Sequence, residues 1–183
     1  MTWIDRWIQK QRINQVIRKI PPGSSVLDIG CHQGELFMAM GKHLKTGFGI
    51  DPLIPQSVVK PRYQLIKGQF PDDWKIDAEL NCITLLAVLE HIPDEKQIPA
   101  VKKIFGLLSP GGLAILTVPS EKADRVLHFL RRAGLIHGMS LEEHYGFNSA
   151  DTIHIFESAG FKLIKHQTFQ FSLNNLFIFK KAE

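Results

Sequence analysis

Short apolar runs separated by segments of helical spacing make up most of the chain. The apolar runs lie at 25–29, 46–50, 62–68, 80–88 and 111–118. Between them, residues 34–44 and 94–108 have the periodicity of helices. Parallel strands that are covered on both faces are apolar almost throughout, and strands that alternate with helices form such sheets. The pattern predicts an α/β domain in which helices cover both faces of a mostly parallel sheet.

The C-terminal region has a different pattern. A helix near 149–159 is followed by two apolar runs, 161–169 and 173–181, with few residues between them. A parallel pair needs a long crossover, so these runs are predicted to form an antiparallel hairpin. Five aromatic residues in or shortly before this region are predicted to belong to the core, like alternate residues of strands: Phe147, Phe169, Phe171, Phe177 and Phe179.

Two segments interrupt the alternation of strands and helices. Residues 51–61 contain three prolines, so the crossover helix expected there is short or absent. Residues 119–148 follow the fifth apolar run and have the pattern of a helix to about Ala133 and then a glycine-containing loop. Ligands of open α/β sheets bind beyond the carboxyl ends of the strands. The segment 119–148 is therefore predicted to be a lid over the active site.

Residues 1–23 are predicted to be an N-terminal amphipathic helix, ended by the sequence "PPG" at 21–23, in a single domain that spans residues 1–183. The apolar positions of this helix, which recur at helical spacing, are Trp3, Ile4, Trp7, Ile8, Ile13, Val16, Ile17 and Ile20. A basic amphipathic helix can lie on a membrane or bind a partner. The commoner arrangement, in which the apolar side packs against the domain, is the prediction here.

Composition narrows the class of protein without selecting a function. The chain has 183 residues, 44% of them hydrophobic, and a net charge of +4, as in an ordinary globular domain. No apolar stretch approaches the ~20 residues of a membrane span, and the charged N-terminal region is unlike a signal peptide, so a cytoplasmic location is expected. Cys31 and Cys82 form no CxxC pair, so reduced thiols and no metal site are expected.

The sequence "DIGCHQG" at 28–34 lies between a predicted strand and a predicted helix. His32 and Glu35 stand where the dinucleotide fingerprint needs glycines, and no Gly-Lys-Ser/Thr of a P-loop follows. The remaining pattern is a carboxylate at the strand end and two glycines, Gly30 and Gly34, that let the backbone approach a ligand. His32 is interpreted as a tolerated loop residue.

Asp51 in "GFGIDP" follows the second apolar run, 23 residues after Asp28. A carboxylate there can accept hydrogen bonds from both hydroxyls of a ribose. It can equally cap a turn, because Asp before Pro commonly begins one. The spacing from the glycine-containing turn favours the ribose.

Four segments in this order, "VLDIGCHQGEL", "GFGIDP", "LLAVLEHIPD" and "LLSPGGLAILTVPS", resemble the motifs of class I S-adenosylmethionine (SAM)-dependent methyltransferases. The resemblance covers roughly residues 24–181. It implies a Rossmann-like three-layer sandwich with a seven-stranded, mostly parallel sheet, an antiparallel last strand and the strand order 3-2-1-4-5-7-6. It also implies SAM as cofactor and S-adenosylhomocysteine (SAH) as product.

The same resemblance implies roles for individual residues. The methionine part of SAM would lie near the first loop and the end of the fourth strand, at Asp28, Gly30, Cys31, Gly34, Leu86 and Ala87. Asp51 would hold the ribose, and the adenine would contact Pro52, Gln69 and Phe70. Many members have Asp at the position of Gln69, whose amide oxygen can still accept a hydrogen bond. The candidates for a general base are His91, after the fourth strand, and His144, in the predicted lid. A structural role is open for both: His91 as a helix cap and His144 as a residue that holds the lid.

The methyl acceptor is the least specified part of the prediction. No Asn/Asp-Pro-Pro-Tyr follows the fourth strand and there is no Pro-Cys, which disfavours base amines, glutamine amides and carbon 5 of pyrimidines. An O or N of a small-molecule, lipid-linked or sugar-type acceptor is favoured, and nucleic acid is disfavoured. Two alternatives remain open at this point: a silent methyltransferase-like binding domain, and an RNA methyltransferase that uses the basic N-terminal helix with Arg131 and Arg132.

Overall fold

An eight-stranded mixed sheet lies at the centre of the computed structural model, which describes residues 3–120, 122 and 148–182. The helices are α1 Trp3–Ile17, α2 Glu35–Met40, α3 Asp94–Leu107 and α4 Asp151–Ser158. The strands are β1 Ser24–Ile29, β2 Leu44–Asp51, β3 Val58–Val59, β4 Tyr63–Lys67, β5 Leu80–Leu86, β6 Leu108–Pro119, β7 Phe161–Phe169 and β8 Asn174–Lys181. Short 3₁₀ turns occupy Gly41–His43 and Leu89–His91.

The strand order is β3-β4-β2-β1-β5-β6-β8-β7. Strands β4, β2, β1, β5 and β6 are parallel, and β8 runs antiparallel to both β6 and β7, as the hairpin prediction requires. Without β3 the order is the predicted one, but the prediction of seven strands is wrong. The proline-containing segment after β2 forms no helix, and two of its residues, Val58 and Val59, pair with the open edge of β4.

Helices cover both faces of the sheet and enclose two apolar clusters. On one face, α3 and α4 pack over a cluster in which the rings of Phe156 and Phe179 stack with centroids 4.5 Å apart. On the other face, α1 and α2 pack over a cluster that includes Val16, Phe37 and Cys82. Asp28 lies two positions after Val26 of the second cluster, so its side chain points to the same face, towards α1 and α2.

The prediction for the N-terminal helix is correct for only part of its apolar residues. Ile13 and Val16 are buried against the sheet, whereas Trp3 is 75% exposed and Trp7 is 49% exposed. Successive residues of an α-helix are about 100° apart, which places Trp7 about 180° from Val16 around the axis. The apolar residues of this segment therefore cannot all face the domain.

The aromatic residues of the C-terminal hairpin also differ in burial. Phe177 and Phe179 are buried in the core as predicted, Phe169 is partly buried against it, and Phe147 lies outside the described residues. Phe171 is 94% exposed, so the prediction of a core residue is wrong there. The reason is the turn between β7 and β8: Gln170, Phe171 and Ser172 all have positive φ, and the alternation of the strands stops at Phe169.

Candidate active site

The loop between β1 and α2 passes close to the chain that follows β5. Gly30 has a φ of 74°, and a Cβ added to it would lie 2.4 Å from Cγ2 of Val88. Its backbone N–H donates a hydrogen bond to the carbonyl oxygen of Ile50 at 2.8 Å. A side chain is therefore excluded at Gly30 by both space and backbone conformation.

His32 connects this loop to its surroundings. Its φ of 45° lies in the left-handed region, where glycine is the usual residue. The imidazole Nδ1 lies 2.8 Å from Oε1 of Glu35, and the backbone N–H donates to Oδ2 of Asp51 at 2.9 Å. These contacts explain how a non-glycine residue is held here, and the histidine side chain is engaged with the first turn of α2.

Asp28 is buried at the end of β1. The hydroxyl of Thr84, its register partner on β5, donates to Asp28 Oδ1 at 2.6 Å. Burial raises the pKa of Asp28 to about 7; the Thr84 hydrogen bond opposes this, and the charges of Glu35 and Asp51 add to it. A cation placed beside this carboxyl group would favour its ionised form.

Both carboxylate oxygens of Asp51 accept backbone hydrogen bonds. Oδ2 accepts from His32, as described, and Oδ1 accepts from the N–H of Leu53 at 2.7 Å. The second bond is the turn-capping contact that the Asp-Pro sequence suggests. A carboxylate oxygen accepts two hydrogen bonds, so each still has capacity for a ribose hydroxyl.

A pocket opens between α1 and the β1–α2 loop. It is lined by Gln9, Arg12, Ile13, Asp28, Gly30, Cys31, His32, Glu35, Leu36 and Leu86. Four of the predicted cofactor residues therefore lie together, namely Asp28, Gly30, Cys31 and Leu86. Burial raises the pKa of Cys31, so this side chain is a neutral thiol in the pocket wall.

Arg12 is one of the pocket residues that the sequence analysis did not predict. Its Nη2 donates to Oδ1 of Asn174 at 3.4 Å, while its buried Nε has no hydrogen-bond partner within the described part of the chain. Burial lowers the pKa of Arg12, and the charge of Glu90 acts in the opposite direction. The available signal was its position, since Arg12 lies about 40° from Val16 on the inward face of α1.

Hydrogen bonds attach this part of α1 to the β7–β8 turn. Asn174, which holds Arg12, donates from Nδ2 to Oε1 of Gln170 at 2.6 Å. Gln170 in turn donates from Nε2 to the carbonyl oxygen of Ile8 at 3.2 Å. Arg12 is thus positioned by residues more than 150 positions away along the chain.

The other predicted cofactor residues do not line this pocket. Gly34 has a φ of 82° and packs so closely that a Cβ would lie 3.2 Å from Cε2 of Tyr63. Ala87 follows β5 with a positive φ of 62°, and Phe70 is buried in the core. Pro52 and Gln69 are exposed beyond the ends of β2 and β4, on the Asp51 side of the sheet.

The two candidate bases have different positions. His91 is exposed at the end of the 3₁₀ turn after β5, and it is not among the residues that line the pocket. Helix α3 begins at Asp94 with Pro93 as its cap residue, so His91 does not cap it. His144 and nearly all of the predicted lid lie outside the described residues.

The charges at the pocket suit a ligand that carries both signs. Asp28 and Glu35 supply carboxyl groups, and half-buried Arg12 supplies a guanidinium whose Nε has no hydrogen-bond partner in the part of the chain that the structure describes. An amino-acid group presents an ammonium and a carboxylate, which match these two sides. The methionine part of SAM has this amino-acid group beside a sulfonium cation, so the residues present fit SAM.

The strand order with its antiparallel C-terminal hairpin, and the glycine-containing loop beside Asp28, are those of a class I SAM-dependent methyltransferase. Residues 5–166 match the family described as "Methyltransferase domain", and the chain belongs to that family. The predictions of the family, its Rossmann-like fold and its cofactor SAM are confirmed.

Similar proteins include both curated sequences and solved structures. The ubiquinone biosynthesis O-methyltransferase of Pseudomonas fluorescens (strain SBW25) is 31% identical over 121 residues, which are 61% of this chain and 47% of that protein. The chain thus spans about half the length of the curated relatives it matches. Magnesium protoporphyrin IX methyltransferase of Synechocystis PCC 6803, solved with SAH, superposes with a TM-score of 0.71 at 16% identity, covering 100% of this chain and 89% of that one. N-methyltransferase NodS of Bradyrhizobium japonicum WM9 gives 0.67 at 15% identity, covering 96% and 97%.

No helix within residues 3–120, 122 and 148–182 is both long and apolar enough to pass through a bilayer.

Proposed function

We propose that this chain binds SAM with its methionine end in the pocket between α1 and the β1–α2 loop and transfers the methyl group to an O or N atom of a small-molecule acceptor. The observation that carries the proposal is that Arg12 and Asp28 line one pocket, with a guanidinium Nε that is buried and has no hydrogen-bond partner among the described residues. A zwitterionic amino-acid group satisfies both at once.

Each residue has a distinct role in this proposal. Arg12 donates to the ligand carboxylate, while Asp28 accepts from its ammonium and becomes ionised beside it. Asp51 accepts from the ribose hydroxyls with the capacity that its backbone hydrogen bonds leave. The resemblance to class I SAM-dependent methyltransferases supports contacts of the adenine with Pro52, Gln69 and Phe70.

Bound SAM supplies a methyl group that is already activated by the sulfonium. The protein's contribution is to align the acceptor with the methyl–sulfur bond and to exclude water, and such positioning can lower a barrier by ~7–11 kcal/mol. A base is required only if the acceptor atom is protonated at neutral pH, and His91 and His144 are the proposed candidates.

The proposed acceptor class is supported by the relatives. One is named as an O-methyltransferase of ubiquinone biosynthesis, one as an N-methyltransferase and one as a magnesium protoporphyrin IX methyltransferase. All three names are compatible with an O or N acceptor on a molecule outside the nucleic acids. A lipid-linked or sugar-type acceptor belongs to the same proposal. A cofactor-binding domain without turnover is the alternative, and transfer of labelled methyl groups from SAM to a panel of such acceptors distinguishes the two.

The site is tested by calorimetry with two ligands that differ only in the amino-acid part. SAH has that part, and 5′-methylthioadenosine lacks it. We expect Arg12→Gln to weaken SAH binding roughly tenfold or more, because a charge-assisted hydrogen bond is lost, and to leave methylthioadenosine binding unchanged. Asp51→Ala should weaken both ligands, since both contain the ribose.

Arg18→Gln is the matched control, because Arg18 is an exposed arginine just beyond α1. It should bind both ligands as the unmutated protein does. If the unmutated protein binds no SAH, the proposed site is wrong. If Arg12→Gln weakens both ligands equally, Arg12 has a structural role and does not contact the carboxylate.

A further inference from the structure

Exposed aromatic side chains are concentrated where α1 meets the β7–β8 turn. Trp3 and Trp7 lie one helical turn apart on the outward side of α1, and Phe171 is at the tip of the turn, 94% exposed. The hydrogen bond from Gln170 to Ile8 holds the turn against the N-terminal half of α1. We call Trp3, Trp7 and Phe171 the aromatic patch.

The turn holds Phe171 outward at a cost in backbone free energy. Gln170, Phe171 and Ser172 have φ values of 51°, 56° and 64°, three successive non-glycine residues in the left-handed region. Hydrogen bonds secure this conformation, from Leu173 N–H to the Gln170 carbonyl at 3.1 Å and from the Ser120 hydroxyl to the Ser172 carbonyl at 2.8 Å. A strained conformation that the surroundings maintain is a reason to look for a function of the side chain it presents.

The outward side of α1 is basic. Arg6 and Lys10 are exposed next to Trp3 and Trp7, and Asp5 is the one acidic residue in the sequence of the helix. A surface of this sign attracts anions. Tryptophan rings beside basic side chains are the composition by which helices lie in the headgroup region of a bilayer.

We propose that the aromatic patch, with Arg6 and Lys10, docks the protein on an anionic membrane surface. The rings enter the headgroup region, where their apolar bodies leave water, and the two cations lie near lipid phosphates. The proposal does not depend on methyl transfer or on SAM binding.

The shape and size of the patch favour lipid over other partners. Its side chains stand on a helix and at the tip of a turn, whereas single-stranded nucleic acids are bound in grooves with stacking platforms. The exposed parts of the three rings amount to roughly 300–550 Å². A stable dimer needs about 800 Å² from each partner, so the patch is too small for a second copy of the chain.

Docking in this way would place the pocket on the other side of α1 from the membrane, one helix diameter (~10 Å) away. Arg12 is five residues after Trp7 on the same helix, a rise of about 8 Å along the axis and about 140° around it. A lipid-type acceptor would then approach from the surface to which the protein is attached. This consequence rests on the proposed function; the docking itself does not.

The proposal is tested by mixing the protein, without cofactor, with vesicles of phosphatidylcholine alone or with phosphatidylglycerol added. Sedimentation measures the bound fraction, and tryptophan fluorescence reports the rings. The chain has three tryptophans, and Trp74 is only 5% exposed, so a blue shift on binding must come from Trp3 or Trp7. We expect binding and a blue shift with the anionic vesicles, and a fall of roughly tenfold in binding without the anionic lipid or at high salt.

Variants identify the surface that binds. Trp7→Ser with Phe171→Ser, and separately Arg6→Glu with Lys10→Glu, should each lower partitioning by roughly tenfold or more. Met38→Ser and Lys102→Glu are the matched controls, an exposed methionine on α2 and an exposed lysine on α3, and should bind as the unmutated protein does. Circular dichroism verifies that each variant is folded.

Three results would overturn the proposal. The first is no partitioning into anionic vesicles by the folded protein. The second is a loss of partitioning that is the same in the controls as in the patch variants. The third is that the patch variants instead abolish RNA binding or self-association, which would assign the surface to nucleic acid or to a second copy.

Discussion

Replacing Asp28 by Asn should stabilise the protein at alkaline pH when no cofactor is bound. The pKa of Asp28 rises from an ordinary value of 3.8 to about 7 in the folded protein, chiefly because the carboxyl group is buried. Asn keeps the shape and can still accept the hydrogen bond from Thr84, but it carries no charge. The variant therefore isolates the cost of the buried charge.

The sign and size follow from linkage between protonation and folding. Because the pKa is raised on folding, the protonated group costs nothing below about pH 4, and stability is lost as the pH rises towards about 7. Each pH unit between the two values costs about 1.36 kcal/mol, or about 4 kcal/mol in full. Between about pH 5 and about pH 8, Asp28→Asn should gain about 2.5 kcal/mol relative to the unmutated protein.

Urea unfolding at both pH values measures this difference. Asp77→Asn, which removes a carboxylate at an exposed position, is the control variant measured alongside. The prediction is wrong if Asp28→Asn and the unmutated protein differ in free energy of unfolding by the same amount at about pH 5 and about pH 8. Asp28 would then be charged in the folded protein without a cost.

In the unmutated protein, SAH affinity should increase as the pH rises through about 7, since ionised Asp28 attracts the ligand ammonium.

Two further predictions concern residues around the pocket. Asn174→Ala removes the partner of Arg12 Nη2, so it should weaken SAH binding severalfold and leave methylthioadenosine binding unchanged. Asn174→Asp should restore the SAH affinity. Calorimetry that shows both ligands weakened equally by Asn174→Ala would contradict this prediction. Gly49→Ala should destabilise the protein by about 1–3 kcal/mol in urea unfolding, because the new Cβ would lie 2.6 Å from Sγ of Cys31. Gly106→Ala on α3, where the Cβ meets nothing within 4 Å among the described residues, is its control and should be neutral or stabilising.

The parallel core was predictable because most of its strands are near-continuous apolar runs and the crossovers that form α2 and α3 have a helical period. The hairpin was predictable for a different reason: the chain between 169 and 173 is too short for any other connection. Strand β3 was not predictable, since two residues have no periodicity and their pairing depends on the open edge of β4.

For the site, the sequence was informative about the loop and uninformative about what lies opposite it. Asp28 and Gly30 belong to a local pattern that links one strand to one helix. Arg12 comes from a helix outside that pattern, and only the packing of α1 on the sheet places it at the pocket. The apolar character of Trp7 and Phe171 predicts burial, but the helical period places Trp7 on the outward side of α1 and the left-handed turn exposes Phe171.

The hydrogen bond between Arg12 and Asn174 joins residues that are 162 positions apart, at opposite ends of the described chain. During synthesis the first helix emerges long before β8, so its arginine has no partner there until nearly the whole domain has left the ribosome. A ligand that needs Arg12 in place cannot stabilise the early folding intermediates of this chain. Cofactor binding would therefore be a property of the completed fold, and SAH would protect finished molecules from proteolysis while leaving nascent or C-terminally cut ones unprotected.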